Sequence, residues 1–428
     1  MTKTIQTDTL IIGAGSSGCV LANRLSARPD HRVTLIEAGG KDSWHWIHIP
    51  VGYLYTMGNP KTDWCYSTTP QPGLNGRSLA YPRGRVLGGC SSINGMIYMR
   101  GQEADYDAWG SGWTWSDVLP YYKQSEHYHR GADAYHSDQG ELLVQEQRLK
   151  WDILETFKRV CEDAGFNDRP DFNCGDNSGV GYFEVNQKKG IRWSSARAFL
   201  HPVMHRSNLT VMTHTLSEHL AFDSDRCIGM EGTCRGQPVS ICAQRVILAA
   251  GAIGTPALLE RSGIGDEAVL APLGIQVHTQ LSGVGNNLQD HLQVRLQYRL
   301  KRGDTLNQQA NSWFGRVKMA VQYAYNQSGP LSMAPSQLGA FFKSSDDIDR
   351  PDLEFHIQPM SADQLGTKLH PFPGMTASVC QLRPTSRGST HISGARASDV
   401  PRIDPRYLSE THDQQVVCQA IEKTRALM

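Results

Sequence analysis

Asp8 to Gly39 reads DTLIIGAGSSGCVLANRLSARPDHRVTLIEAG, and its reading decides the fold. Thr9 to Ile12 make a short buried strand. Gly13, Gly15 and Gly18 follow as G-x-G-x-x-G, and Ser17 to Ala27 carry a helical pattern. The first glycine permits a tight turn, the second lets a pyrophosphate approach the backbone, and the third lets helix and strand pack closely. The unpaired N–H groups at the helix start and its positive dipole end face the phosphates. Val33 to Ile36 form a second strand ending at Glu37, positioned to accept hydrogen bonds from ribose hydroxyls. Strand, glycines, helix, strand and acid in this order predict a dinucleotide site.

Two later stretches extend it. Tyr81 to Gly101, YPRGRVLGGCSSINGMIYMRG, crowds Gly84, Gly88, Gly89 and Gly95 among Arg83, Arg85, Ser91, Ser92 and Asn94. So many small residues let backbone lie against a flat ligand while hydroxyls and amide supply hydrogen bonds; a buried glycine loop is the alternative. Arg245 to Gly265, RVILAAGAIGTPALLERSGIG, runs a buried strand into Ala250-Gly251 and a helix with Thr255 as N-cap and Pro256 at N1. This second strand-to-helix turn pairs with the first across a parallel sheet.

Between these, KDSWHWIHIP (Lys41 to Pro50) either lines a ligand entrance or is a loop pinned by its tryptophans. Glu103 to Trp109, Ser116 to His127 (capped by Ser116) and Trp151 to Ala164 read as helices, the last with Leu154, Phe157, Cys161 and Ala164 on its core face. Strands are expected at Leu209 to Met212, Cys227 to Thr233 and Ser240 to Ala249. Beyond His291, Gln293 to Leu300, Leu353 to Ile357 and Thr376 to Leu382 alternate as half-buried antiparallel strands, and Ser312 to Tyr325 reads as a helix. A second domain would thus cover the cofactor and make a substrate pocket between domains. The fold class is α/β plus α+β.

Composition narrows the function. With 42 basic and 42 acidic residues in 428, a general electrostatic nucleic-acid binder is not expected. No apolar run is long enough to span a membrane, and MTKTIQTD carries no signal-peptide core. The ten cysteines lack C-x-x-C or metal spacing, so no metal site is expected, and Cys19 and Cys161 read as apolar packing in a reducing, cytoplasmic setting. Asp413 to Met428 is a helical pattern with Val416, Val417, Ala420, Ile421 and Leu427 on its apolar side. It stops without a cap, so the natural polypeptide is expected to continue.

GAGSSGCVLANRLS, PRGRVLGGCSSING, QKKGIRWSSARAFL, GAIGTPALLERSGIG and GVGNNLQDH together resemble the glucose–methanol–choline (GMC) flavoprotein oxidoreductases, particularly their choline-dehydrogenase-like and medium-chain alcohol dehydrogenase branch. The resemblance implies FAD, with its ADP part at Gly13, Gly15, Ser16, Ser17, Gly18, Glu37 and Ala38, near Ala250 and Gly251. Its flavin would lie along Gly88, Gly89, Ser91, Asn94 and Gly95, with Arg83 close by. Cys90 stands where Ser or Gly is usual. Ile93 stands where covalently flavinylated members carry His, which implies non-covalent FAD. A Rossmann-like FAD-binding domain would take residues 1–150 and 190–292, and an antiparallel-sheet substrate domain 151–189 and 293–428.

The implied activity is oxidation of a primary alcohol, hydride going to flavin N5 and electrons on to a quinone-like acceptor, in the cytoplasm or peripherally at the inner membrane. An O₂-using oxidase, a lyase of the same family, or an inactive FAD-binding fragment are the alternatives. The family's catalytic His lies in an H-P-x-G-T motif that does not occur before Met428, and a positioned base contributes about 10²–10⁴-fold. No catalytic residue is therefore assigned, the catalytic segment being expected beyond this chain; His291 reads as structural.

Overall fold

A computed structural model describes residues 3–363 and 368–428; Met1 and Thr2 of the N-terminal segment, and 364–367 of the expected substrate domain, lie outside the described residues. In chain order, two sheets and their main helices are built from β1 (Lys3–Ile12), α1 (Ser16–Leu25), β2 (Val33–Glu37), β3 (Gly179–Tyr182), β4 (Leu209–Thr213), β5 (Thr215–Asp223), β6 (Arg226–Cys234), β7 (Gln237–Leu248), α2 (Gly251–Arg261), β8 (Gln293–Arg299), α3 (Trp313–Asn326), β9 (Leu338–Phe342), β10 (Leu353–Gln358), β11 (Gly374–Gln381) and α4 (Thr411–Leu427).

The first sheet runs β4-β2-β1-β7-β6-β5. Its first four strands are parallel, and β5–β6–β7 form an antiparallel meander. The end of β1 is buried on both faces. Leu10 and Ile12 pack with Met230, Ile241 and Leu258, while Ile11 packs with Cys19 and Ala22 of α1 and Leu35 of β2. Two-sided burial explains why TLII is a continuous apolar run. Truncating Ile11 to Ala would cost about 2–5 kcal/mol. Burial pushes the Cys19 and Cys161 thiols up to about 12, so both are packed as neutral apolar groups.

The second sheet, β8-β11-β10-β9-β3, is antiparallel throughout. One face is the largest apolar core: Leu353, Phe355, Ile357, Ala377 and Val379 meet Leu154, Phe157 and Cys161 from one helix and Val416 and Ala420 from α4. β10 and β11 are nearly fully buried rather than half-buried, because their polar face is covered as well. The expected domain boundaries meet one departure. Gly388–His391 and Arg402–Asp404 leave the second sheet and form a small antiparallel sheet with Asn286–Leu288, beside α2.

Other boundaries move for local reasons. The helix expected from Ser116 runs Trp115–Ser125 with Thr114 and Asp117 as a capping box, and Ala164 is exposed beyond Asp152–Asp163. The helix expected to start at Thr255 begins a turn earlier, at Gly251, with Pro256 inside it. Only one intrahelical bond is lost to Pro256 so near the start.

A buried charge chain locks residues 98–137 to 171–184. Arg100 Nη2 lies 3.0 Å from Glu126 Oε2, which lies 2.9 Å from His136 Nδ1; His136 Nε2 lies 2.9 Å from Asp171 Oδ2. Tyr128 stacks on the imidazole at 3.7 Å and bonds Glu184. With a carboxylate at each nitrogen, His136 donates twice and is an imidazolium. Burial alone would lower its pKa, but the bonds to Asp171 and Glu126 outweigh that and raise it to about 9.

Because folding raises this pKa from 6.5, the His136 contribution is complete below about pH 6.5 and fades as pH rises through about 9. His136→Gln should cost about 3–5 kcal/mol at neutral pH. Thermal unfolding followed by circular dichroism should show a wild-type Tm falling from neutral pH to about pH 9, and a flatter profile in the variant. Parallel profiles would remove the imidazolium from the account.

Candidate functional site

A cavity of about 780 Å³ opens where β1, β2 and β7 end. That volume is in the range of small-molecule and cofactor sites. Gly13 N–H donates to Ile36 O, and a Cβ on Gly18 would stand 1.9 Å from Gly13 O, so α1 can approach β1 only with glycine there. Gly15 caps α1 without a side chain, and no acid occupies the first turn. The α1 N–H groups at Ser16 and Ser17 therefore face the cavity with their positive end uncompensated. A second helix start, α2 after Ala250, does the same from β7.

Glu37 closes β2 and is almost completely buried. Its Oε2 accepts from Ala14 N at 3.0 Å and its Oε1 from Gly39 N at 2.8 Å. Burial raises its pKa to about 7, against the pull of those two N–H groups. The carboxylate thus braces the glycine turn while lining the cavity. Each oxygen keeps a lone pair for a ligand hydroxyl.

The second glycine loop docks onto the first. Gly88 N–H donates to Ala14 O at 2.8 Å, and a Cβ on Gly89 (φ +54°) would lie 2.7 Å from Gly15 Cα. A side chain on Gly89 would not fit against the Gly15 backbone.

Of the residues expected at the cofactor, Gly13, Gly15, Ser16, Ser17, Glu37, Ala38, Arg83, Gly89, Ala250 and Gly251 line this cavity. Gly18, Gly88, Ser91, Asn94 and Gly95 stand behind or beyond it. Ser91 Oγ donates to Gly88 O and accepts from Ser195 N, Asn94 Oδ1 accepts from Arg192 Nη1, and Gly95 lies against Pro335. Ile93 is buried with Ile47 and Val86.

Sequence reasoning missed several groups here. Trp64 and Tyr66 stack at 5.8 Å, and the Arg85 guanidinium lies 4.8 Å from the Trp64 ring. Arg85 Nε and Ser217 Oγ are buried at the cavity without partners, as donors awaiting a polar ligand would be. Ala397 to Pro401 also reaches the cavity, from a segment expected in the other domain. Arg192 is 1% exposed and holds the second loop through Ile47 O, Ser91 O and Asn94 Oδ1; burial lowers its pKa to about 9. The arginine stood in a quoted motif without a role. Arg85 stood likewise in the second glycine stretch, and the others come from distant chain segments with no local signal.

The loop at Trp44 to His48 does not line the cavity. Trp46 lies on Tyr55 at 4.3 Å and Ile47 packs under Ile93. His291 is exposed, with Nε2 2.8 Å from Leu382 O. On the polar face of the second sheet, Glu354, His356 and Cys380 bring ligand-type atoms within 4.8 Å. They could hold a metal ion only by displacing a proton. Burial and Glu354 push the Cys380 thiol well up, and the three already bond one another, His356 Nε2 to Glu354 at 3.2 Å.

The GMC oxidoreductase family profile matches residues 7–293. The chain is 39% identical over 429 residues to an alcohol dehydrogenase [acceptor] of Pseudomonas putida, covering 98% of this chain and 78% of that one. It is 35% identical to the mitochondrial choline dehydrogenase of Mus musculus, covering 98% and 72%. The crystal structure of pyridoxine 4-oxidase from Mesorbium loti superposes with a TM-score of 0.87 at 29% identity, covering 98% and 80%.

Glu37→Ala removes the acceptor for two backbone N–H groups and a carboxylate that lines the cavity. FAD affinity should fall by about ten- to a hundredfold, from hydrogen bonds to a charged group worth about 1.5–3 kcal/mol. The Tm of the FAD-free protein should fall too. Flavin-fluorescence titration and thermal melts check both; an unchanged Tm would mean the brace is dispensable.

Proposed function

The chain belongs to the GMC oxidoreductase family, and from that membership we propose that it oxidises a primary alcohol and passes the electrons to a quinone-like acceptor. It is an FAD-dependent oxidoreductase acting on CH–OH donors. The observation that carries the reading is the contact of two glycine loops beside one cavity, with a helix N-terminus on one side and unpartnered buried donors on another. That donor set fits a long, flat, doubly phosphorylated cofactor.

The roles we assign follow from these positions. The α1 N–H groups at Ser16 and Ser17 bind pyrophosphate, with Gly18 seating the helix. Glu37 and Ala38 take the ribose, Ala250 and Gly251 contact the nucleotide from β7, and Arg83 and Arg85 offset phosphate charge. Gly88, Gly89, Ser91, Asn94 and Gly95 form the bed for the flavin, and Arg192 is a positioning residue for that bed. FAD, when bound, supplies the two-electron acceptor for hydride from the carbinol carbon. His291, tied to Leu382 O, takes no part. We place the protein in the cytoplasm with peripheral contact at the inner membrane; no helix among the described residues is long and apolar enough to cross one.

Two measurements test this reading. Anaerobic addition of a medium-chain primary alcohol to the FAD-loaded protein should bleach the flavin, and a soluble quinone should restore the colour faster than air does. Flavin that dithionite bleaches but alcohols do not would contradict it. Acid precipitation should release all FAD into the supernatant, because Ile93 offers no nucleophile; yellow pellets would contradict non-covalent binding.

A further inference from the structure

Helix α3 presents an apolar face that none of the described residues covers. Trp313, Phe314, Val317, Val321 and Tyr325 are 79%, 73%, 41%, 62% and 90% exposed. On a helical projection they fill one arc of about 120°. The opposite side is anchored: Met319 is buried in the main core, and Tyr323 OH donates to Gly190 O at 3.0 Å. Ser312 caps the helix by accepting from Gly315 N. The exposed arc is therefore held rigidly outward rather than left by a loose segment.

Charge identifies the occupant. Arg316 borders the arc on one side and Lys318 on the other, and Lys301 and Arg302 precede the helix. No Asp or Glu occurs between Asp304 and Asp346, in a chain whose 42 basic and 42 acidic residues otherwise balance. An apolar stripe with aromatic residues, edged by basic side chains and free of acids, is the pattern of a helix lying in the headgroup region of an anionic bilayer. A second copy docked on this face would set two pairs of these cations against each other.

We propose that α3 is the docking face for an anionic phospholipid surface, with Trp313, Phe314, Val321 and Tyr325 entering the interface and Arg316 and Lys318 on the headgroups. The inference rests on the quinone-like acceptor proposed above, since such an acceptor resides in lipid. Its test does not depend on turnover.

FAD-loaded protein is sedimented with phosphatidylcholine vesicles with or without phosphatidylglycerol. Binding is expected only with phosphatidylglycerol and should weaken as salt rises. Trp313→Ser and Phe314→Ser together should weaken it about tenfold or more. Arg316→Glu and Lys318→Glu should each weaken it about fivefold or more. Both sets are exposed and should retain FAD content and Tm, measured in parallel. Wild-type protein that ignores the vesicles, or variants that bind undiminished, would overturn the proposal. So would a dimer in light scattering that Trp313→Ser dissolves without any vesicle binding. Binding through α3 with no reduction of a quinone would leave the docking face standing and overturn the acceptor alone.

Discussion

The contact between Gly15 and Gly89 is the constraint on which the structure depends. Here the turn that begins α1 meets a loop from a distant part of the chain, and a methyl group on Gly89 would clash with the Gly15 backbone. The Gly88 N–H on Ala14 O fixes the register, and Glu37 holds Ala14 from the other side. A few hydrogen bonds of about 0.5–1.5 kcal/mol each would be modest on the surface. In a buried turn, losing any one leaves unsatisfied backbone, which costs more than the bond contributes. The cavity lies where β1, β2 and β7 end together.

The brace also explains the division of labour among the glycine-rich residues. Gly13, Gly15 and Gly89 face the cavity, whereas Gly18 and Gly88 serve the packing that lets them. Ser91 and Asn94 spend polar groups on the loop itself, through Gly88 O, Ser195 N and the buried Arg192. A buried guanidinium bonded only to neutral oxygens is costly. It is tolerated where it fixes the conformation of a loop that must lie flat. The Arg100–Glu126–His136–Asp171 chain serves the same end farther out, tying the segment after the second loop to the edge of the second sheet.

Much of this was legible in the sequence because its causes are local. A turn of small residues between β1 and α1, and an acid ending β2, follow from sterics within about thirty residues. The strand β5 was missed: TLSEHLAFD has a bulged, partly exposed pattern, and only its meander partner β6 gives it a role. The cap at Thr255 was misplaced because Ala250-Gly251 starts the helix while Pro256 imitates a first-turn proline. The polar residues Glu354 and Ser378 looked solvent-facing by alternation; their burial comes from the packing of the rest of the chain on the sheet, which no periodicity reports. Likewise Trp64, Tyr66 and the stretch from Ala397 to Pro401 meet at the cavity from far apart in the chain.

We propose that the paired glycine loops and the α1 N-terminus bind a dinucleotide through its pyrophosphate and adenosine, and only then bed its flavin. Calorimetric titration of the FAD-free protein with FAD, ADP and FMN tests it most directly. Tight binding of FAD is expected, with measurable binding of ADP that competes with it and no comparable binding of FMN. FMN binding as tightly as FAD, with no competition from ADP, would contradict it.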